Sequence, residues 1–244
     1  MTAVALDELE EIINHYDARA PYSRAIGKFF AEKMDVYLMR LAILGSQGLQ
    51  GAAGLAGVTT DHPSGDYVEA SGADTSATTL LGAIQDASEK MDAADVPDSD
   101  RYVFLKPAQY NLLADPASQL TDRDFGGEGN GRTADGTVFR AWGFKVMKTN
   151  LLPTDNSTAV GTGATSESVV GQNDRTYVTN ARKTVALCYH PMCLGAVEAM
   201  PLQVATKWED EFQSHFVIGK RATGLQILRP EAGVVIRSGD PATA

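Results

Sequence analysis

Apolar positions in the first quarter of the chain recur every three or four residues. Leu9, Ile12, Ile13 and Tyr16 follow Leu6 at the spacing of a helix with one buried stripe. The pattern predicts an amphipathic helix within a few residues of the start, with no leading strand before it. Pro21 interrupts, and because proline is tolerated only in a first helical turn, it predicts the start of a second helix. The stripe of that helix would be Ile26, Phe29, Phe30, Met34, Tyr37, Leu38, Leu41 and Leu44, stopped by Gly45. A helix from Tyr22 to Leu44 would be about 35 Å long, the span of a small domain.

Residues 45–75, with GSQGLQGAAGLAG among them, predict a long loop. Helical spacing returns at Leu80, Leu81, Ile84, Ala87 and Met91 within residues 76–95, and Val96-Pro97 ends it. RYVFLKP predicts a short apolar strand, and Pro107-Ala108 opens a short helix closed by Asp115-Pro116. Residues 121–137, which include GGEGNG, and residues 153–175 predict polar loops. Between them, Val138 to Leu152 alternates as one half-buried strand. Strand-like runs follow at Thr184–Tyr189, Leu194–Met200, Gln203–Trp208, Phe212–Ile218, Gly224–Leu228 and Val234–Ile236, and 238–244 predicts a frayed tail. Long helices, a mixed middle and closing antiparallel strands make an α+β order rather than a doubly wound one.

The 244 residues allow one large domain or two smaller ones, and 43% hydrophobic with 21% charged residues is an ordinary globular balance. A formal charge of −10 disfavours a protein specialised for nucleic acid, since neutralising phosphates needs a surplus of Lys and Arg. The acidic start does not read as a secretory signal, and no window reaches the length of a membrane span. Two cysteines cannot form a disulfide framework.

Candidate chemistry is sparse. In CYHPMC, Cys188, His190 and Cys193 are the ligand types that zinc selects, but a structural site needs four, and His15, His62 and His215 stand at no motif spacing. They read instead as small residues buried in a strand. A thiol or metal hydrolase using Cys188 and His190 stands as an alternative, though no glycine-flanked elbow surrounds either thiol. GGEGNG neither follows a clear parallel strand nor opens an apolar helix, as a dinucleotide fingerprint must. The acid pairs Asp122 with Asp124 and Glu209 with Glu211 read as solvated surface. No catalytic, cofactor-binding or metal-ligating residue is assigned, no cofactor is expected, and the chain does not read as an enzyme.

Three stretches together resemble the major capsid proteins of short-tailed, autographivirus-type bacteriophages. They are LDELEEIINHYDARAPYSRAIGKFFAEKMDVYLM with its Asn14 to Asp17, AWGFKVMKTNLLP, and LQILRPEAGVVI. The resemblance implies the Hong Kong 97-type capsid fold, an α+β plate with a long spine helix (about 22–44), a peripheral domain from 6–75 with 198–237, and an axial domain from 76–197. It also implies a non-enzymatic shell subunit of the virion, assembled in the host cytoplasm. Its partners would be copies of itself, as hexamers and pentamers, together with scaffold and portal proteins, and it would have no specific nucleic-acid or membrane partner. Its shell would enclose double-stranded DNA, past which an acidic wall lets the duplex slide. A cellular, encapsulin-like compartment shell is the alternative within the same fold. The family's extended N-terminal arm and extension loop have no counterpart before Leu6, which predicts a chain that folds but does not build a stable shell unaided.

Overall fold

A computed structural model describes residues 2–7, 19–46, 65–114, 140–155, 180–212 and 214–239. The chain divides into two compact units, one of residues 1–35 with 196–225 and one of residues 36–195 with 226–244.

The first unit opens on strand β1 (Thr2–Asp7), where the sequence pattern predicts no strand. Its partner supplies the reason: β1 pairs antiparallel with β8 (Ser214–Ile227), Val4 opposite Val217, so the extended state is set by residues some two hundred positions away. Of the predicted first helix, Leu9 to Tyr16 lie outside the described residues. Helix α1 (Arg19–Ser46) has 28 residues, starts three residues before Tyr22 and takes Pro21 into its first turn, where a missing N–H costs no helical bond. Its length is about 42 Å. Ile26 and Val217 are buried together, with Val4 and Phe30 packed beside them. Phe29, placed in the same predicted stripe, is instead exposed, edge-on to Phe30 at 6.0 Å with the Lys33 ammonium over its ring. The sheet of this unit has the order β1-β8-β7, with β7 (Leu194–Glu209) outermost.

β7 and β8 replace four shorter predicted runs. Pro201 and Gly219 lie between those runs, yet neither interrupts a strand. Pro201 survives because β7 is an outer strand, in which the absent N–H can face away from the ladder.

The second unit is built on a six-stranded mixed sheet of order β2-β9-β6-β3-β5-β4. Its members are β2 (Asp66–Glu69), β3 (Tyr102–Leu105), β4 (Arg140–Ala141), β5 (Phe144–Lys148), β6 (Thr184–Tyr189) and β9 (Gly233–Arg237). The central strands TVALCY and GVVIR are buried along almost their whole length, as strands covered on both faces are. Helix α2 (Ala77–Ala93) follows the predicted stripe, burying Leu80, Leu81, Ile84, Ala87 and Met91, and the Ser76 hydroxyl caps its N-terminus by accepting from Thr79 N–H. It packs on β9 and β2. Helix α3 (Pro107–Leu113) begins on its proline, as predicted.

Two expectations change here. β2 lies inside the stretch predicted as loop: of DYVE only Val68 is buried, and its extended state comes from parallel pairing with β9. The single strand expected over Val138–Leu152 is a hairpin, because Trp142 and Gly143 both take positive φ (48° and 83°) and fold β5 back on β4. β2 and β9, which the resemblance to capsid proteins places in the peripheral residues 6–75 and 198–237, pair within the same sheet as β3, β5 and β6 of the 76–197 stretch. The predicted loop at 121–137, and most of that at 153–175, fall outside the described residues, as do Asp115-Pro116 and 240–244 of the tail.

Candidate contact surfaces

The sequence singled out CYHPMC and the stretch around Arg-Pro-Glu-Ala, and the fold brings the two together. After β6, His190 caps a short 3-10 turn over Pro191–Cys193, its Nδ1 accepting from Met192 N–H at 3.2 Å. His190 N–H donates to Ala232 O, and Cys193 O accepts from both Leu228 and Arg229 N–H. Gly233 sits directly against Cys193: a Cβ on it would stand 2.9 Å from Sγ. Both thiols are buried. Burial alone pushes the Cys188 thiol far above its ordinary value, and burial, helped by the Glu231 carboxylate, pushes Cys193 up to about 12. A nucleophilic cysteine needs a lowered pKa and access, and neither thiol has them. His190 spends one ring nitrogen on a backbone turn. Among the described residues no group of three or more His, Cys, Asp or Glu is placed to hold a metal ion.

Arg229 supplies the rest of the lock. Its guanidinium donates to the carbonyls of Ala94 and Asp95, just past the last turn of α2, and its Nε lies 3.2 Å from Glu231 Oε2. A cation on unsatisfied terminal carbonyls is favourable both as a hydrogen-bond donor and against the helix dipole. Arg101 plays a similar part at the same end of α2. It is almost fully buried, donating to Pro97 O and Val96 O while pairing with Asp92 and Asp98. These motif residues therefore hold an architecture together.

The surface features that have no internal explanation are apolar. Along β7, Met200, Leu202, Val204 and Trp208 are spaced by even steps and so share one face, and each is more than a third exposed. The Trp208 ring meets His215 of β8 edge-on at 4.6 Å, and Glu198 is 2.8 Å from Arg221 of the same strand. These contacts put the even positions of β7 on the face that β8 shares with Val217. Alternation of this kind ordinarily buries one face of a strand. Here these apolar positions each keep more than a third of their surface open, on an outer strand about 54 Å long. Between Glu198 and Lys207 the strand carries no charge at all. Lys207 is paired with Glu209, and the Trp208 indole N–H donates to Asp210. An outer strand left long and apolar is a template for another chain, and soluble proteins normally blunt such edges with charge. Periodicity found the strand but gave no sign that its apolar face would be left open.

A second exposed apolar feature lies in the other unit. Trp142 stands at the tip of the β4–β5 hairpin, 52% exposed, with Met147 of β5 also exposed. The two tryptophans of the chain are thus both at the surface. Among the described residues no helix is long and apolar enough to cross a membrane.

Residues 1–237 match the model of a family described as Gp10A-like major capsid protein. The chain is 24% identical to the minor capsid protein of Escherichia phage T7, an alignment covering 97% of this chain and 61% of that relative. It is also 24% identical to the major capsid protein of the same phage, over 96% of this chain and 69% of the relative. Among solved structures, the capsid of Cyanophage P-SCSP1u is similar, with a TM-score of 0.79 and 25% identity over 98% of this chain and 71% of that one. The chain therefore spans less than two thirds of the length of the T7 minor capsid protein.

Proposed function

Since the chain belongs to the Gp10A-like major capsid protein family, we propose that it is a wall subunit, copies of which join as hexamers and pentamers into an icosahedral shell around double-stranded DNA. The observation that carries this reading is the uncovered apolar face of β7. An isolated globular protein has no use for four large apolar side chains in register on an outer strand, whereas a subunit of a closed shell must present self-complementary edges. A second copy is the partner this edge suits. Two molecules of charge −10 repel over most of their surfaces, and the charge-free run from Ala199 to Thr206 is a place where they can meet without that penalty.

In this reading the unit around β1, β7, β8 and the first part of α1 is the peripheral domain, and the unit around the six-stranded sheet is the axial one. The work of the protein is mechanical. Its acidic balance keeps packaged duplex from sticking to the wall, because binding would require neutralising phosphates that an acidic surface repels. Scaffold and portal proteins are its partners during assembly in the host cytoplasm, and the virion is its final place.

Light scattering and negative-stain electron microscopy of the purified chain test this reading. Open oligomers several times heavier than the 26.0 kDa subunit, rather than stable closed shells, are expected as concentration rises. A chain that remains a monomer at every concentration would contradict it.

A further inference from the structure

His190 is buried, and every polar group of its main chain is spent on the turn that follows β6. Its N–H donates to Ala232 O at 2.9 Å, and its carbonyl accepts from Cys193 N–H at 2.9 Å. The side chain closes the turn, Nδ1 accepting from Met192 N–H at 3.2 Å. The donor there is a peptide N–H, so Nδ1 carries no proton and the neutral ring holds its own on Nε2. An imidazolium has N–H on both nitrogens and no acceptor left. A proton on Nδ1 and the Met192 hydrogen bond therefore exclude each other.

The charged groups on the flanking elements offer a protonated ring little compensation. The pairing of Tyr102 with Tyr189, carried one residue further, sets Arg101 of the β3 side opposite His190, and that buried cation is held by Asp92 and Asp98. Asp100 is near enough to feel a charge on the ring, but Lys145 occupies it at 2.8 Å and holds its carboxyl below the ordinary value. On the turn before β9, Glu231 is paired with Arg229. Burial keeps the Cys193 thiol and the Tyr189 hydroxyl protonated and neutral.

More than one turn depends on this hydrogen bond. Cys193 O accepts from Leu228 and Arg229 N–H, the Cys193 sulfur lies against Gly233, and Arg229 reaches the end of α2 at Ala94 and Asp95. Of the side chains in this chain of contacts, only the imidazole ordinarily changes charge between pH 5 and 8. We infer that His190 is an acid-sensitive latch: the neutral ring keeps the 190–193 turn closed over Cys193, and a proton taken from solvent onto Nδ1 opens it reversibly.

Labelling of Cys193 by 4,4′-dithiodipyridine, a disulfide reagent that works in acid as well as at neutral pH, tests the latch on the full chain. The site is located by peptide mass spectrometry, and each rate is taken relative to the urea-unfolded chain at the same pH. An ordinary imidazole is half protonated near pH 6.5, so exclusive protonation predicts a rise in the parent of up to about thirtyfold between pH 7.5 and pH 5. In H190N the amide oxygen stands where Nδ1 stood and accepts at every pH, so labelling should stay slow throughout. H190A has no acceptor and should label fast at both. Equal acid acceleration in the parent and H190N would overturn the proposal, since acid would then act on other groups. A parent that labels no faster at pH 5, or an H190A chain as slow as the parent at pH 7.5, would overturn it as well.

Discussion

Cys193 illustrates how tightly single residues are held in this protein. Its sulfur is wedged beneath Gly233, its carbonyl accepts two N–H groups from Leu228 and Arg229, and burial pushes its thiol up to about 12. Neither Cys193 nor the still more deeply buried Cys188 should react with a thiol reagent such as DTNB at pH 8 in the folded chain, and both should react in denaturant. Fast reaction of a native thiol would revive the hydrolase alternative built on Cys188 and His190. The same shift carries a pH dependence. The folded thiol keeps its proton to higher pH than the unfolded one, whose ordinary value is 9.0, so the unfolded chain binds fewer protons and stability falls as pH rises from about 9 toward 12. Chemical denaturation of C193S, set beside the parent at pH 8 and pH 10.5, should show a smaller fall with pH in the variant. Burial of these two residues could be read from their setting in an apolar run. The contact with Gly233 could not, because forty residues separate the partners and no periodicity links them.

Among the elements, α2 shows how one distant side chain finishes a helix. Its N-terminus is closed locally by Ser76, but its C-terminal carbonyls at Ala94 and Asp95 are satisfied by Arg229, more than a hundred residues on. Arg229→Ala should therefore cost about 1–2 kcal/mol, the order of hydrogen bonds made by a charged donor to otherwise unsatisfied carbonyls. Arg229→Lys should recover only part, since a single ammonium nitrogen cannot reach Ala94 O, Asp95 O and Glu231 from the three separate positions that the planar guanidinium offers. Urea denaturation checks both, and an unchanged midpoint in Arg229→Ala would show the cap to be idle. The stretch LQILRPEAGVVI, which carried part of the resemblance to capsid proteins, thus acts through packing and capping.

The elements legible in the sequence are those whose signal is local. α2 has a clean stripe, α3 has its proline at the first position, and TVALCY is a continuous apolar run bounded by polar residues. β1 and β2 are extended only because β8 and β9 lie beside them, and neither partner can be inferred from a six- or four-residue window. The hairpin at 140–148 was hidden for a different reason: Trp-Gly is not a turn signal, because a bulky residue at positive φ is an outlier.

At the scale of the whole molecule, the candidate site is a pair of surfaces, not a pocket. The strand-like runs at Leu194–Met200 and Gln203–Trp208 foretold a strand but not its open apolar positions, so the fold class was legible while the candidate contact surface was not. A family resemblance pointed to the function that chemistry-bearing residues could not, since the motifs here serve packing and capping. If the apolar positions of β7 are where copies meet, a charge placed among them should act on assembly and spare the fold. Val204→Glu is expected to change unfolding free energy by no more than about 0.5 kcal/mol, as an exposed substitution does, while abolishing concentration-dependent association in sedimentation velocity. Loss of folding instead would mean that Val204 serves the subunit's own core.

The most direct measurement of the central claim is amide hydrogen exchange on the parent chain at low and high concentration, followed by mass spectrometry of peptides spanning β7. An outer strand has main-chain N–H groups without internal partners, and these exchange quickly until another chain covers them. Slowed exchange across residues 199–207 as the chain associates is the predicted result. Association that leaves exchange in that strand unchanged would contradict the account.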